Sequence, residues 1–143
     1  MKLTTHDHRR DSAALTYLYP VLSRRAGGVS IGVNLNPNNA CNWQCIYCQV
    51  PDLTRGTAPD IDLGVLRDEL RTLLGAVATG DFFDRFEVED RYRRICDIAI
   101  SGNGEPTSAR ALPAIVDTIG AAATAAGLLG TIKLVLITNG SLI

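Results

Sequence analysis

Three cysteines lie close enough in sequence to hold one inorganic centre. Residues 41–48 read Cys-Asn-Trp-Gln-Cys-Ile-Tyr-Cys, which places thiols at Cys41, Cys45 and Cys48. Cysteine thiolates bind zinc and iron–sulfur clusters, and a closed tetrahedral site takes four protein ligands. The remaining cysteine, Cys96, is distant in sequence. Three thiolates therefore leave one coordination position open, and that is where a substrate or cofactor can bind.

Two other uses of these thiols compete with a cluster. A disulfide framework is disfavoured because the local count is odd and the chain has only 4 cysteines in 143 residues. A structural zinc site would need a fourth ligand from Cys96 or from a histidine. His6 and His8 form an H-x-H pattern in a polar terminus that we expect to be frayed. The triple spacing favours a cluster, with zinc as the alternative.

The composition is that of a globular chain of one-domain size. Hydrophobic residues make up 46% of the chain, charged residues make up 20%, and the net charge is -1. This charge argues against a protein built mainly to bind nucleic acid. We find neither an apolar run long enough to cross a membrane nor a signal-peptide pattern. Together with free thiols, this predicts a cytoplasmic protein without a membrane partner.

The hydrophobic pattern predicts strands that alternate with helices. We expect strands at residues 29–35, 95–100 and 132–137, the last of them buried on both faces. Helices are expected at about 63–80, with Asp60 or Asp62 as N-cap, and at about 110–125. Residues 81–94 are interpreted as a connection with a short helical piece. Helical crossovers between short apolar strands indicate a parallel α/β sheet.

Each predicted strand is followed by a motif that could bind a ligand. The cysteines follow the first strand, Gly-Asn-Gly-Glu-Pro at 102–106 follows the second, and Thr-Asn-Gly at 138–140 follows the third. The carboxyl ends of parallel strands share one edge, where ligands bind. Glycines let the backbone approach a ligand, and Glu105 offers a carboxylate to a cation. Ordinary turns, with Pro106 near a helix start, are the structural alternative.

The cysteine spacing, combined with the two later motifs, resembles the radical S-adenosylmethionine (SAM) superfamily. In that family three cysteines ligate a 4Fe-4S cluster, and SAM chelates the fourth iron. The resemblance implies that Cys41, Cys45 and Cys48 are the cluster ligands. It also implies that SAM contacts come from Tyr47, Gly102, Gly104, Glu105 and Asn139. Of these, Tyr47 would lie against the adenine, and the glycine-rich segment would bind the amino group of SAM.

The resemblance also implies a fold and a reaction. The fold would be α/β, with parallel βα units forming the first half of a radical SAM partial (βα)6 TIM-like barrel over residues 29–143, after an N-terminal extension at 1–28. The enzyme would cleave SAM reductively, with flavodoxin or ferredoxin as electron donor, and a 5'-deoxyadenosyl radical would abstract a substrate hydrogen. Because the chain supplies about three of six units, we expect a fragment. A cluster-binding fragment without turnover and a zinc module are the alternatives.

A looser resemblance concerns the segment before the first predicted strand. It is similar to the lead-in of an iron–sulfur oxidoreductase group related to the enzymes that make the wyosine base of tRNA, and it is carried by Pro20, Ser23, Arg24, Arg25 and Gly28. The two arginines could bind a phosphate or a carboxylate, or form a solvated pair. The substrate stays unknown, with a tRNA base as one candidate beside a protein or a small molecule.

Overall fold

Helices connect the strands of a mixed α/β fold, which the computed structural model describes over residues 2–9 and 13–142. The strands are β1 (Leu18–Ser23), β2 (Gly28–Val33), β3 (Ala40–Cys41), β4 (Thr54–Arg55), β5 (Ile95–Ile100) and β6 (Lys133–Leu136). The helices are α1 (Leu63–Thr79), α2 (Asp81–Arg85) and α3 (Leu112–Ala125), and 3-10 turns lie at Asp90–Tyr92 and Pro106–Ser108.

The main sheet has four strands in the order β1-β2-β5-β6. β5 is parallel to both β2 and β6, as the sequence predicted, whereas β1 is antiparallel to β2. Helices α1 and α2 lie between β2 and β5 in the chain, and α3 lies between β5 and β6. β3 and β4 form a separate parallel pair. Across the described part of the chain the sheet stays open, and no barrel closure is seen.

Strand β1 was not predicted from the sequence. It lies within the expected N-terminal extension, yet it pairs along its whole length with β2, from Leu18 opposite Val33 to Ser23 opposite Gly28. Pro20 obscured the strand pattern, but proline is tolerated in an edge strand because one side of that strand makes no ladder hydrogen bonds. Burial of Leu18 and Leu22 gives the strand its place in the core. Residues 18–23 are therefore part of the sheet.

One hydrophobic cluster joins the sheet to the helices. In α1, Leu66, Leu70 and Leu74 recur every four residues and are fully buried. The N-cap of this helix is Asp62, whose side chain accepts a hydrogen bond from the backbone N–H of Val65 at 3.1 Å, and Gly80 ends the helix in the left-handed conformation. None of the described helices is both long and apolar enough to span a membrane.

The predicted burial of the last strand is wrong. Leu134 is 48% exposed and Leu136 is 43% exposed. β6 ends the strand order of the main sheet and pairs with β5 on one side. The apolar run predicted a strand covered on both faces. Burial depends on what packs against a strand, however, and β6 is an edge strand, so Leu134 and Leu136 stay exposed.

Candidate functional site

The three predicted motifs meet at one edge of the main sheet. β2, β5 and β6 are parallel; the second and third motifs follow β5 and β6 closely, and the cysteine motif follows β2 after the loop at 34–39. Hydrogen bonds join the motifs: the side-chain amide of Asn139 donates to Asn42 Oδ1 at 3.0 Å, and the backbone N–H of Asn139 donates to Glu105 at 2.8 Å. The prediction of a shared edge is confirmed. The motifs lie together because the carboxyl ends of the parallel strands lie at the same edge of the sheet.

The cysteine loop is tied at its base and open at its tip. Pairing of β3 with β4 closes the base, where the side-chain amide of Asn39 also donates to the carbonyl of Pro51 at 3.1 Å. All three thiols are free; Cys41 and Cys45 are half-buried, and Cys48 is exposed. The loop therefore presents three accessible thiols on a fixed stem.

The chemistry of this donor set fits a cluster held by three cysteines. Free, accessible thiols within one loop are the ligands that iron–sulfur clusters take. In residues 2–9 and 13–142, however, no three side chains of the metal-binding types are grouped as a ready metal site. Binding of a cluster would therefore require the thiols to turn toward one another.

Tyr47 lies at the tip of this loop. Its side chain is 80% exposed. A hydrogen bond with Cys45 raises the pKa of the Tyr47 phenol, and the nearby thiol charges of Cys45 and Cys48 act in the same direction. The proposed stacking on adenine stays a prediction, and the exposed ring is accessible for it.

Asparagines that sequence reasoning missed join the cysteine loop to the glycine-rich segment. Asn34 Oδ1 accepts hydrogen bonds from the backbone N–H groups of Asn36 and Asn103, at 3.1 and 3.0 Å. The side-chain amide of Asn103 donates to Asn39 Oδ1 at 2.8 Å. Asn36 is buried and donates to the carbonyl of Ala40 at 2.9 Å. The available signal was the density of asparagine, with 5 of the 9 residues from 34 to 42.

Gly102 and Gly104 of the second motif pack against Asn34 and Asn36. A Cβ atom on Gly102 would lie 2.1 Å from Asn34 Oδ1, and one on Gly104 would lie 2.1 Å from the carbonyl oxygen of Ala40 and 2.7 Å from the Asn36 side chain. Such distances exclude any side chain. The absence of a side chain at these glycines therefore lets the glycine-rich segment pack closely against residues 34–40, and it could also let a ligand approach the backbone.

Replacement of Gly104 by alanine should separate the two loops. The new methyl group would press on a backbone carbonyl, so we expect a loss of roughly 1–3 kcal/mol in the free energy of unfolding. The matched control is Gly75→Ala in α1, where a Cβ meets nothing within 4 Å. That change should stabilise the chain by about 0.5–1 kcal/mol, because glycine is a poor helix former. Urea unfolding of both variants tests the prediction, and equal midpoints would contradict it.

Glu105 joins the second motif to the third motif through its buried carboxylate. Its side chain is 2% exposed, and the carboxylate accepts hydrogen bonds from the Thr107 hydroxyl at 2.7 Å, from the Asn139 N–H at 2.8 Å and from the Thr138 hydroxyl. Burial raises the pKa of Glu105, but these hydrogen bonds outweigh burial and hold the pKa below its ordinary value. We expected this carboxylate to face a cation. Instead it faces protein donors and clasps the second motif to the third.

Three residues that the sequence singled out lie at the opposite edge of the sheet. Arg24 and Arg25 are exposed in the turn between β1 and β2, before the amino end of β2. Cys96 is the second residue of β5, and its thiol lies 3.4 Å from the carbonyl oxygen of Ala26 in the same turn. The parallel strands separate this turn from the cysteine loop. Cys96 is therefore not placed to complete a zinc site with the three cysteines.

An open cavity of about 1130 Å³ lies beside Cys48. Asn34, Asn39, Gly102 and Asn103 line it on the sheet side, and residues 6–9 line it as well. His6 and His8 are exposed and lie outside helices and strands, and the expectation that they belong to a frayed tail stays a prediction. Leu3, before them, is buried in the core and donates its N–H to the carbonyl of Phe86 at 2.9 Å.

The chain is similar to two bacterial proteins. They are UPF0026 proteins. Both come from Helicobacter pylori, strains 26695 and J99, and they are 32% and 31% identical to this chain over 124 residues. The match covers 86% of this chain and 34% of each relative, so the chain spans about a third of the length of the curated relatives it matches. No family model matches the chain. No solved structure matches it.

Proposed function

We propose that this chain carries the cluster-binding and SAM-binding part of a radical SAM enzyme. The observation that carries the proposal is the direct hydrogen bonding of three ligand-type motifs at one edge of a sheet, next to three free thiols. When bound, the cluster and SAM would supply an electron and a carbon radical for hydrogen abstraction from a substrate. In this proposal the three parallel strands β2, β5 and β6 are the start of a partial barrel.

Different residues of the chain would hold the cluster and SAM. Cys41, Cys45 and Cys48 would ligate the cluster and leave one iron for SAM. Gly102 and Asn103 line the cavity beside Cys48 and would form its floor. The carboxylate of Glu105 already accepts several hydrogen bonds from the protein, so the backbone carbonyl groups of residues 102–104 are the better acceptors for the SAM amino group. Glu105 would then act by positioning these loops.

Electron paramagnetic resonance tests the proposal. The chain would be reconstituted with iron and sulfide without oxygen, reduced, and recorded with and without SAM, beside a Cys96→Ser control. We expect a 4Fe-4S signal that changes when SAM is added, and the same behaviour in the control. A signal that SAM leaves unchanged would favour a cluster-binding fragment without turnover. Zinc bound without sulfide would favour the zinc module.

A further inference from the structure

A tight turn that begins at Asn36 leads the chain into the first cysteine. The N–H of Asn39 donates to the carbonyl of Asn36 at 3.0 Å, and Asn39 has a φ of 55°, in the left-handed region that asparagine tolerates. The N–H of Asn36 donates to Asn34 Oδ1 at 3.1 Å, which fixes the start of the turn. The turn places Ala40, the residue before Cys41, within reach of side chains from the turn itself.

Two asparagine side chains bind both backbone groups of Ala40. Asn38 Oδ1 accepts the Ala40 N–H at 3.2 Å, and Asn36 Nδ2 donates to the Ala40 carbonyl at 2.9 Å. The next residue, Cys41, is held by the second strand of the pair, because the N–H of Gly56 donates to its carbonyl at 3.0 Å. The peptide that leads into the first cysteine is therefore fixed from two directions.

One half of the Asn36 amide is unused. The residue is 1% exposed, and its Oδ1 has no hydrogen-bond partner in the described part of the chain. The opposite orientation of the amide would place this oxygen against the Ala40 carbonyl, where two acceptors meet, so the nitrogen must face Ala40. An unsatisfied buried acceptor lowers stability, and an apolar side chain would not carry this cost. The asparagine is therefore explained by the bond that its nitrogen makes.

Gly104 confines the Asn36 amide. A Cβ atom on Gly104 would lie 2.7 Å from both Cγ and Nδ2 of Asn36, so the glycine-rich backbone packs directly on the amide and keeps it against Ala40. Cys45 and Cys48 lie beyond the β3–β4 pair, in a local turn where the N–H of Cys48 donates to the carbonyl of Cys45 at 3.1 Å. The first thiol thus belongs to the fixed stem, and the other two belong to a separate turn.

We propose that Asn36 is a positioning residue for Cys41. Its amide fixes the peptide before this cysteine, so that one thiol is set in place before a metal binds, and Cys45 and Cys48 turn toward it. A ligand that is already ordered lowers the entropic cost of binding. The assignment of Cys41 as an iron ligand rests on the proposed function, whereas the contact between Asn36 and Ala40 belongs to the chain without any cofactor.

Cobalt(II) titration of the reduced, cofactor-free chain tests this role. Cobalt(II) takes thiolate ligands, and its charge-transfer absorption reports the thiolates that it binds. We expect Asn36→Ala and Asn36→Leu to weaken cobalt binding by about tenfold, the lower end of the effect of losing a partner that orients a metal ligand. Asn38→Ala changes an exposed side chain and leaves the core intact. It should weaken binding by about threefold, because water can replace the lost acceptor.

A double-mutant cycle with Cys41→Ala separates positioning from a general loss of structure. If Asn36 acts through Cys41, Asn36→Ala should change the weaker cobalt affinity of the Cys41→Ala chain by less than about twofold. Ser30→Ala is the control for the loss of a buried polar group, because it removes a hydroxyl that donates to Asp97 within the sheet. We expect it to leave cobalt affinity unchanged.

Three results would overturn the positioning role. They are wild-type cobalt affinity in either Asn36 variant, a loss of equal size in the Cys41→Ala chain, and a loss in Ser30→Ala as large as that in Asn36→Ala. The cobalt measurement needs no cluster. A wild-type chain that binds cobalt through Cys41 but takes up no iron and sulfide would contradict the proposed function and leave the positioning role supported.

Discussion

Alanine in place of Cys41, Cys45 or Cys48 abolishes the binding of iron and sulfide in reconstituted protein: this is the largest effect that we expect. Each substitution leaves two thiolates on the loop, so an additional iron of the proposed cluster would have no protein ligand. Because the loss of an outer-shell partner alone costs about 10–100-fold in metal affinity, removal of a ligand should cost more than roughly 100-fold. Iron and sulfide content, together with the visible absorption of the cluster, measure the effect.

Cys96→Ala is the matched control for the cysteine variants. Cys96 lies at the opposite edge of the sheet, hydrogen-bonded to the turn at Ala26, so its loss should leave iron and sulfide content unchanged. The fold of each apo variant can be checked by circular dichroism, and Cys48→Ala is the mildest change because that side chain is exposed. Full iron and sulfide content in any of the three loop variants would refute the assignment of that cysteine as a ligand.

The second large effect concerns the stability of the apo chain. Glu105→Ala should lower the free energy of unfolding by roughly 2–4 kcal/mol, because it leaves the partly buried donors of Thr107, Thr138 and Asn139 without their charged acceptor. Glu105→Gln keeps the shape but turns one acceptor into a donor, so it should cost somewhat less. Urea unfolding of the cofactor-free chain measures both.

Glu89→Gln is the control, since the side chain of Glu89 is exposed and forms an ion pair with Arg91 at 3.1 Å. We expect it to change the free energy of unfolding by less than about 0.5 kcal/mol. If Glu105 instead acted mainly as a ligand for the SAM amino group, Glu105→Gln would weaken SAM binding and leave apo stability near that of the control. The two roles are therefore distinguishable before any activity is measured.

The stabilising effect of Glu105 should depend on pH in a defined direction. The folded-state pKa of Glu105 lies below its ordinary value of 4.5, because the hydrogen bonds to its carboxylate outweigh burial. Its contribution is therefore complete above about pH 4.5 and is lost as the pH falls through the lower folded-state value. The stability difference between the wild-type chain and Glu105→Gln should shrink on acidification in this window. A stability difference that grows on acidification would contradict a stabilising role for the hydrogen bonds of the Glu105 carboxylate.

Local patterns in the sequence accounted for the elements that frame the site. Leucines at helical spacing, with Asp60 or Asp62 before them and Gly80 after them, predicted α1, because capping and periodicity act over a few residues, and the structure has Asp62 as the N-cap. The apolar run before residue 101 predicted β5, and the helical crossovers predicted its parallel neighbours. From parallel strands alone it followed that the three motifs would share an edge, and the hydrogen bond between Asn139 and Asn42 confirms it.

Contacts between distant residues decided the rest. β1 is a strand because β2 offers it a partner, and Leu134 is exposed because β6 lies at an edge. Whether the Glu105 carboxylate faces a ligand or the protein depends on Thr138 and Asn139, more than thirty residues later in the chain. Residue types and spacing could thus predict the chemistry that is available here, but only long-range packing determines where each group points.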